Sequence, residues 1–134
     1  MVEGGLRHVP YHLTFDDAHC AIIVGSGVVL GSEILAVAHA LTEHLRAGNS
    51  MTRGWVDLCD ITELRATPDE IRMVAEENSH AATFSPRIVV AVVASTNLAF
   101  GMARMWEATM AMTNWQTHVF RDMQQARTWF EKVC

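Results

Sequence analysis

Hydrophobic residues along the chain fall into short continuous runs and helical stripes that alternate with polar segments. The most apolar run, residues 88–94, consists of Ile, Val and Ala and is bounded by polar residues. Such a run is typical of a strand that is buried on both faces of a parallel sheet. Polar residues 95–97 follow, and residues 98–112 then have a helix-like composition. This region therefore predicts a buried strand followed directly by a helix.

Shorter patterns predict four further strands. Residues 11–15 alternate apolar and polar side chains, which indicates a half-exposed strand, and residues 19–24 indicate a second one. Two strands this close in sequence predict an antiparallel hairpin. Residues 53–58 predict the third strand, and residues 115–120 predict the fifth. With the run at residues 88–94, the chain has five predicted strands.

The first and last of four predicted helices are marked by their ends. Ser32 is a suitable N-cap for the first helix, and Glu33 would lie in its first turn, where the helix dipole favours an acid. Gly48 follows the apolar stripe of that helix and supplies a stop. Asp122 is placed to cap the last helix.

The second predicted helix has the clearest start signal in the chain. Thr67 is an N-cap residue, Pro68 takes the first helical position, and Glu70 is placed for a capping box. Helical spacing predicts that this helix turns one set of residues inward and another outward: Ile71, Val74 and Ala75 inward, and Glu76, Glu77 and Asn78 outward.

These elements give the order ββαβαβαβα, which predicts an α/β fold with a mixed five-stranded sheet and about four covering helices. The chain shows no internal repeat or linker. We therefore expect residues 10–134 to form a single domain, with residues 1–9 as a leader.

Composition narrows the function. Half of the 134 residues are hydrophobic, and the mean hydropathy is +0.14. A single small core cannot bury so much apolar surface, so we expect a partner, and a homodimer is the simplest. The net charge of −5 argues against nucleic-acid binding, which needs clustered Lys and Arg.

The sequence also favours a cytoplasmic location. Its beginning lacks the charged start and apolar core of a signal peptide, and its longest apolar run is too short to span a bilayer. An integral membrane protein is therefore not expected. The three widely spaced cysteines fit a reducing compartment better than a disulfide framework.

A dinucleotide site and a metal site are both less favoured than the ordinary structural explanations of the same residues. The glycines of residues 25–31, with Asp57 on the next strand, invite a dinucleotide site, but bulky apolar residues stand where its helix should begin. His39 and His44 are five residues apart, whereas two metal ligands on one helical face need a spacing of four. His39 and Glu43 have that spacing, but a solvated helix face explains them better than metal binding. The sequence therefore predicts no cofactor and no metal.

Cys59, next to Asp60, lies at the predicted end of a strand, where ligands of open α/β sheets often bind. A reactive thiol would need a base or a helix N-terminus nearby, and no histidine is placed for that role. We therefore favour an unreactive cysteine. No catalytic motif is present elsewhere, so we do not expect an enzyme.

Two features of the fourth strand and its helix bear on binding. Ser95, Thr96 and Asn97 could hold an anion at the helix N-terminus, but a simple capping role is favoured, and the two are compatible. The helix over residues 98–112 is apolar nearly all round, whereas a helix on one face of a sheet needs only one apolar stripe. A partner subunit, an apolar ligand or a wholly internal helix would each explain this surplus.

Three segments resemble the STAS domain, the fold of bacterial anti-sigma-factor antagonists and of sulphate-transporter tails. They are Trp55-Val-Asp-Leu-Cys-Asp-Ile-Thr62, Leu98-Ala-Phe-Gly-Met-Ala-Arg-Met105, and His118-Val-Phe-Arg-Asp-Met123 leading into Ala126 and Trp129. Within this fold the chain is most similar to the small SpoIIAA-like (STAS/SEC14-type) bacterial proteins. The resemblance covers nearly the whole chain, from about Tyr11 onward.

The chain departs from the phosphorylatable antagonists at one place. Those proteins carry an Asp-Ser-Ser-Gly-like turn before the second helix, whose serine is phosphorylated by a partner kinase. Here the matching residues 65–70 contain no serine, and the hydroxyl of Thr67 is already committed as an N-cap. The resemblance therefore implies the fold without implying a phosphorylation switch.

We therefore predict a STAS-like, non-enzymatic regulatory or protein-interaction module, with a small carrier or sensor of an apolar, lipid-like ligand as the alternative. The candidate ligand or partner residues lie in loops: Asp60, Thr62, Thr67, Ser95, Thr96 and Asn97. The candidate interface residues lie on the apolar helix: Leu98, Met102, Met105, Trp106 and Met110.

Overall fold

The structure of the chain, a computed structural model, describes residues 9–16 and 19–133. The predicted leader lies almost wholly outside these residues. Nine elements follow one another in the predicted order. They are β1 (Tyr11–Phe15), β2 (Cys20–Leu30), α1 (Gly31–Arg46), β3 (Arg53–Arg65), α2 (Pro68–Phe84), β4 (Val89–Val93), α3 (Asn97–Met110), β5 (Gln116–Phe120) and α4 (Met123–Val133).

The five strands form one mixed sheet in the order β1-β2-β3-β4-β5. β1 and β2 are antiparallel, as the hairpin prediction requires, and the other neighbouring pairs are parallel. β4 lies between β3 and β5, and four of its five residues are buried. The prediction of an α/β fold around a doubly buried fourth strand is therefore confirmed.

Alternate residues along the strands contact different helices. Val90 and Val92 pack in a core cluster with residues of α1, α2 and α3, whereas Ala91 packs with Phe130 of α4. Because successive strand residues point to opposite faces, the sheet is a middle layer. We call the side covered by α1, α2 and α3 the three-helix face and the other side the α4 face.

The predicted second and third strands were too short. β2 continues to Leu30 and β3 to Arg65, and the two remain paired beyond the rest of the sheet, as the Gly27–Ile61 and Leu30–Arg65 partners show. β-branched residues fit this extended pairing well. The glycines of residues 25–31 therefore lie mainly in a strand, and the dinucleotide-loop hypothesis has no loop to support it.

The first helix begins differently from its prediction, and two others begin as expected. Pairing keeps Leu30 extended, so Leu30 rather than Ser32 takes the N-cap position, and Glu33 accepts a hydrogen bond from the Leu30 backbone at 2.8 Å. The capping box of Thr67 is confirmed by reciprocal bonds with Glu70 at 3.1 and 2.9 Å. Asp122 accepts from the Gln125 N–H at 2.9 Å, as a cap should.

Candidate functional site

Three side-chain hydrogen bonds hold the segment that joins β4 to α3. The hydroxyl of Ser95 donates to the Cys59 carbonyl at 3.2 Å, which joins this loop to β3. Thr96 is the N-cap of α3, and its Oγ1 accepts from the Ala99 N–H at 3.2 Å. Asn97 Oδ1 accepts from an Arg121 guanidinium N–H at 2.8 Å. The capping prediction is confirmed, and the loop residues remain exposed.

The other predicted loop residues do not form one cluster with this loop. Asp60 is exposed and follows Cys59, so it lies beside Ser95. Thr62 is exposed farther along β3, and Thr67 caps α2 beyond the end of that strand. Asp57 is the last β3 residue that pairs with β4, and β3 continues eight residues beyond it, which is about 26 Å of extended chain. The structure therefore brings together Asp60 and Ser95–Asn97 and places Thr67 apart.

Cys59 has the environment of an unreactive thiol. Burial, reinforced by the carboxylates of Asp57 and Asp60, raises the pKa of the Cys59 thiol to about 11. Asp57 also accepts a hydrogen bond from the Cys59 backbone N–H at 2.9 Å. Because the thiolate is the nucleophilic form, this arrangement suppresses reactivity at neutral pH.

The apolar helix α3 divides its predicted interface residues between surface and interior. Leu98 is 52% exposed, and Met105 is half-buried. Met102 and Trp106 line an internal cavity. Met110 is fully buried at 0% exposure in the three-helix core, so it cannot serve as a surface contact, which corrects that part of the prediction.

The cavity lies between the sheet and the three helices that cover this face. Its volume is about 110 Å³, and its wall is almost wholly apolar. β3 and the three helices contribute the residues that surround it: Ile34, Val56, Ile61, Leu64, Ile71, Val74, Ala99, Met102 and Ala103. Two polar side chains, Asn78 and Tyr11, also line it.

Asn78 lies in the wall of this cavity, and the prediction that it faces outward was wrong. The side chain is only 8% exposed, and its Oδ1 accepts from the Trp106 indole N–H at 2.9 Å. The spacing of Ile71, Val74, Ala75 and Asn78 continues one helical stripe, which was the available signal. The polarity of Asn78 alone led to the prediction that its side chain faces outward.

Other candidate chemistry finds little support in the described residues. Across residues 9–16 and 19–133, no three His, Cys, Asp or Glu side chains gather closely enough to hold a metal ion. His39 lies 3.2 Å from the Glu77 carboxylate of α2 rather than forming the considered pair with Glu43. No helix in these ranges has both the length and the apolar character needed to cross a membrane.

Comparison with known proteins defines the fold. No protein-family model and no curated protein matches the chain. An uncharacterised DUF3478-family protein with a SpoIIAA-like fold from Shewanella loihica PV-4 shares 13% identity, with a TM-score of 0.49 over 90% of this chain and 91% of that one. The anti-sigma factor antagonist SpoIIAA, in its unphosphorylated form, shares 8% identity, with a TM-score of 0.57 over 92% and 96%. The chain has a SpoIIAA-like fold, as its sequence segments predicted.

Proposed function

We propose that this protein is a non-enzymatic, STAS-like regulatory module that acts by binding another protein in the cytoplasm. Its fold is shared with an anti-sigma factor antagonist, which supports a role in protein regulation without identifying the partner. The free, protonated thiol of Cys59 fits a reducing compartment and offers no nucleophile.

The observation that carries this proposal is an apolar side chain set in a polar rim. Leu98 is 52% exposed at the start of α3, beside the exposed residues Ser95–Asn97 and close in sequence to the Thr96 cap. Arg121 bonds to Asn97, and its guanidinium lies 4.3 Å from the Phe100 ring. An apolar centre with polar groups around it is the usual composition of a protein interface. We call Asp60, Ser95–Asn97 and Leu98 the carboxyl-edge surface.

A second copy of the chain is the first partner to test. The exposed apolar residue Leu98 lies in the first turn of α3, Met105 is half-buried within the helix, and the exposed Met112 lies two residues past its end. A homodimer through this helix would cover apolar surface that water now contacts. Sedimentation velocity over a range of concentrations measures this association directly.

The decisive variants are L98E and M73E. Met73 is similarly exposed, at 48%, but lies on α2 outside the carboxyl-edge surface. We expect L98E to weaken self-association, or the binding of a partner cross-linked in cells and then purified, at least tenfold. M73E should bind like the parent. Equal loss of binding in both variants, or no loss in either, would refute the carboxyl-edge surface as the binding site.

A carrier or sensor of an apolar ligand is the second candidate function. The comparisons give it no support, and the observation that favours it is the apolar cavity of about 110 Å³ on the three-helix face. Native mass spectrometry of the purified protein tests it, because a bound small molecule would add a discrete mass that gentle activation removes.

A further inference from the structure

The orientation of the Asn78 amide is fixed by its neighbour. The indole N–H of Trp106 can only donate a hydrogen bond, so the amide oxygen of Asn78 must face it, at 2.9 Å. The two N–H groups on Nδ2 therefore point away from Trp106. No residue within 9–16 or 19–133 accepts a hydrogen bond from them.

An unsatisfied donor at this depth needs a partner. Asn78 is 8% exposed and lines the cavity, and leaving a buried donor unpaired is costly. A water molecule is usually held inside a protein by two to four polar groups. Among the described side chains, the other polar groups that line the cavity are the hydroxyl of Tyr11 and the indoles of Trp106 and Trp115, whose N–H groups already donate to Asn78 and to the Ser85 carbonyl.

We propose that the cavity binds a small apolar molecule with one hydrogen-bond acceptor, such as a ketone or aldehyde oxygen, and that Asn78 Nδ2 donates to that oxygen. This inference rests on the second candidate function and names its ligand class. The apolar wall would bind the hydrocarbon part of the molecule, and the amide would orient it.

The size of the cavity restricts the ligand. An engineered cavity of about 150 Å³ lined by Leu, Ile and Phe binds benzene. The present cavity, at about 110 Å³, is smaller and fits a ring of about five or six heavy atoms. A long acyl chain does not fit this conformation, so the lipid-like ligand considered from the sequence is replaced by a compact carbonyl compound.

The cavity adjoins a surface groove at Tyr11. This side chain lines both the internal cavity and an open surface groove between β1 and α1, whose other walls include Leu13, Val37 and His44. Tyr11 is therefore a wall that the groove and the cavity share.

Two probes of nearly the same shape separate the apolar contribution from the polar one. Cyclopentanone carries a carbonyl oxygen, and methylenecyclopentane carries a CH₂ group in its place. Each is titrated into the ¹⁵N-labelled protein, and the Trp106 indole and Asn78 amide signals are followed by NMR. We expect saturable shifts with both probes, with cyclopentanone binding about five- to tenfold more tightly because it accepts from Nδ2.

Two variants test the roles of the named residues. N78L removes the amide donor, so the preference for the ketone should disappear while the hydrocarbon still binds. A103L fills the cavity and should abolish both titrations. If N78L does not fold, equal affinities of the two probes in the parent protein would still overturn donation by Asn78.

The outcomes distinguish the inference from the function on which it rests. Equal affinities in the parent, or a ketone preference that survives in N78L, would overturn donation by Asn78 while cavity binding stands. Failure of both probes to shift either signal would overturn cavity binding, and the carrier function with it.

Discussion

The two faces of the sheet are built from different side chains. On the α4 face, Phe130 contacts the Trp55 ring edge-on at 5.2 Å, and the Arg53 guanidinium lies 4.7 Å from the Phe130 ring. Phe120 and Trp129 pack against the same cluster. On the three-helix face the side chains are mostly aliphatic or Met, and the cavity of about 110 Å³ lies among them.

This difference separates structural packing from binding capacity. Within the described part of the chain, the α4 face is covered by one helix of 11 residues, so large rings supply the buried area that a short helix otherwise lacks. Three helices meet over the opposite face, and smaller branched side chains leave space between them. We therefore assign a stabilising role to the aromatic cluster of the α4 face, and ligand binding to the three-helix face.

The largest expected effect is the loss of the central ring of the α4 face. F130A removes a side chain that is only 8% exposed, together with its contacts to Trp55 and Arg53. We expect the free energy of unfolding to fall by about 3–5 kcal/mol, measured by urea denaturation. F84A is the matched control, because Phe84 at the end of α2 is 42% exposed and also faces a guanidinium, that of Arg46.

The control should cost less than about 1 kcal/mol, since its ring is half in water and its cation–π contact is exposed. A similar loss in F84A and F130A would contradict the assignment of stability to the α4 face.

A second test adds volume to each face at a helical alanine. Ala126 of α4 is 0% exposed, and Ala103 of α3 is 8% exposed and lines the cavity. A126L should destabilise by about 1–3 kcal/mol because the added carbons meet close packing. A103L should lie within about 1 kcal/mol of the parent, since the cavity accepts the larger side chain. The same substitution in two helices also cancels helix propensity.

Thermal and urea unfolding of the two variants supply the comparison. If A103L were as destabilising as A126L, the space beside Ala103 would be too small or too rigid to admit a ligand, and the proposed division between the faces would fail.

Patterns of polarity predicted most of the framework. The run at residues 88–94 gave the buried strand because its β-branched side chains are apolar on both faces. Thr67 and Asp122 marked helix starts because their side chains satisfy backbone donors locally. Such signals depend on a few neighbouring residues, so one sequence is enough to interpret them.

Features that depend on distant partners were not predictable. The extension of β2 to Leu30 needs pairing with Arg65, 35 positions later in the chain. Helical spacing placed Asn78 on the buried stripe of α2, but its polarity favoured exposure, and the hydrogen bond from Trp106 of α3, which makes its burial favourable, could not be predicted. The role of the Asn78 amide as a candidate binding group therefore depends on a tertiary contact that the sequence alone does not reveal.

The smallest expected effect on stability concerns Cys59, at the place where β3 leaves β4. The pKa of its thiol is raised to about 11 from an ordinary value of 9.0, chiefly by burial and then by Asp57 and Asp60. At neutral pH the thiolate fraction, and with it the alkylation rate by iodoacetamide, should be roughly a hundredfold below that of an ordinary cysteine. D60N should speed alkylation by lowering this pKa, while stability changes by less than about 0.5 kcal/mol.

The same shift fixes the sign of the pH dependence. Because the folded state holds the thiol proton more tightly, the contribution of Cys59 to stability is complete below the unfolded pKa and declines as pH rises from about 9 to about 11. C59S should remove that part of the decline. Rapid, stoichiometric alkylation of the parent at pH 7 would instead mean an activated thiolate and would reopen an enzymatic role for this end of β3.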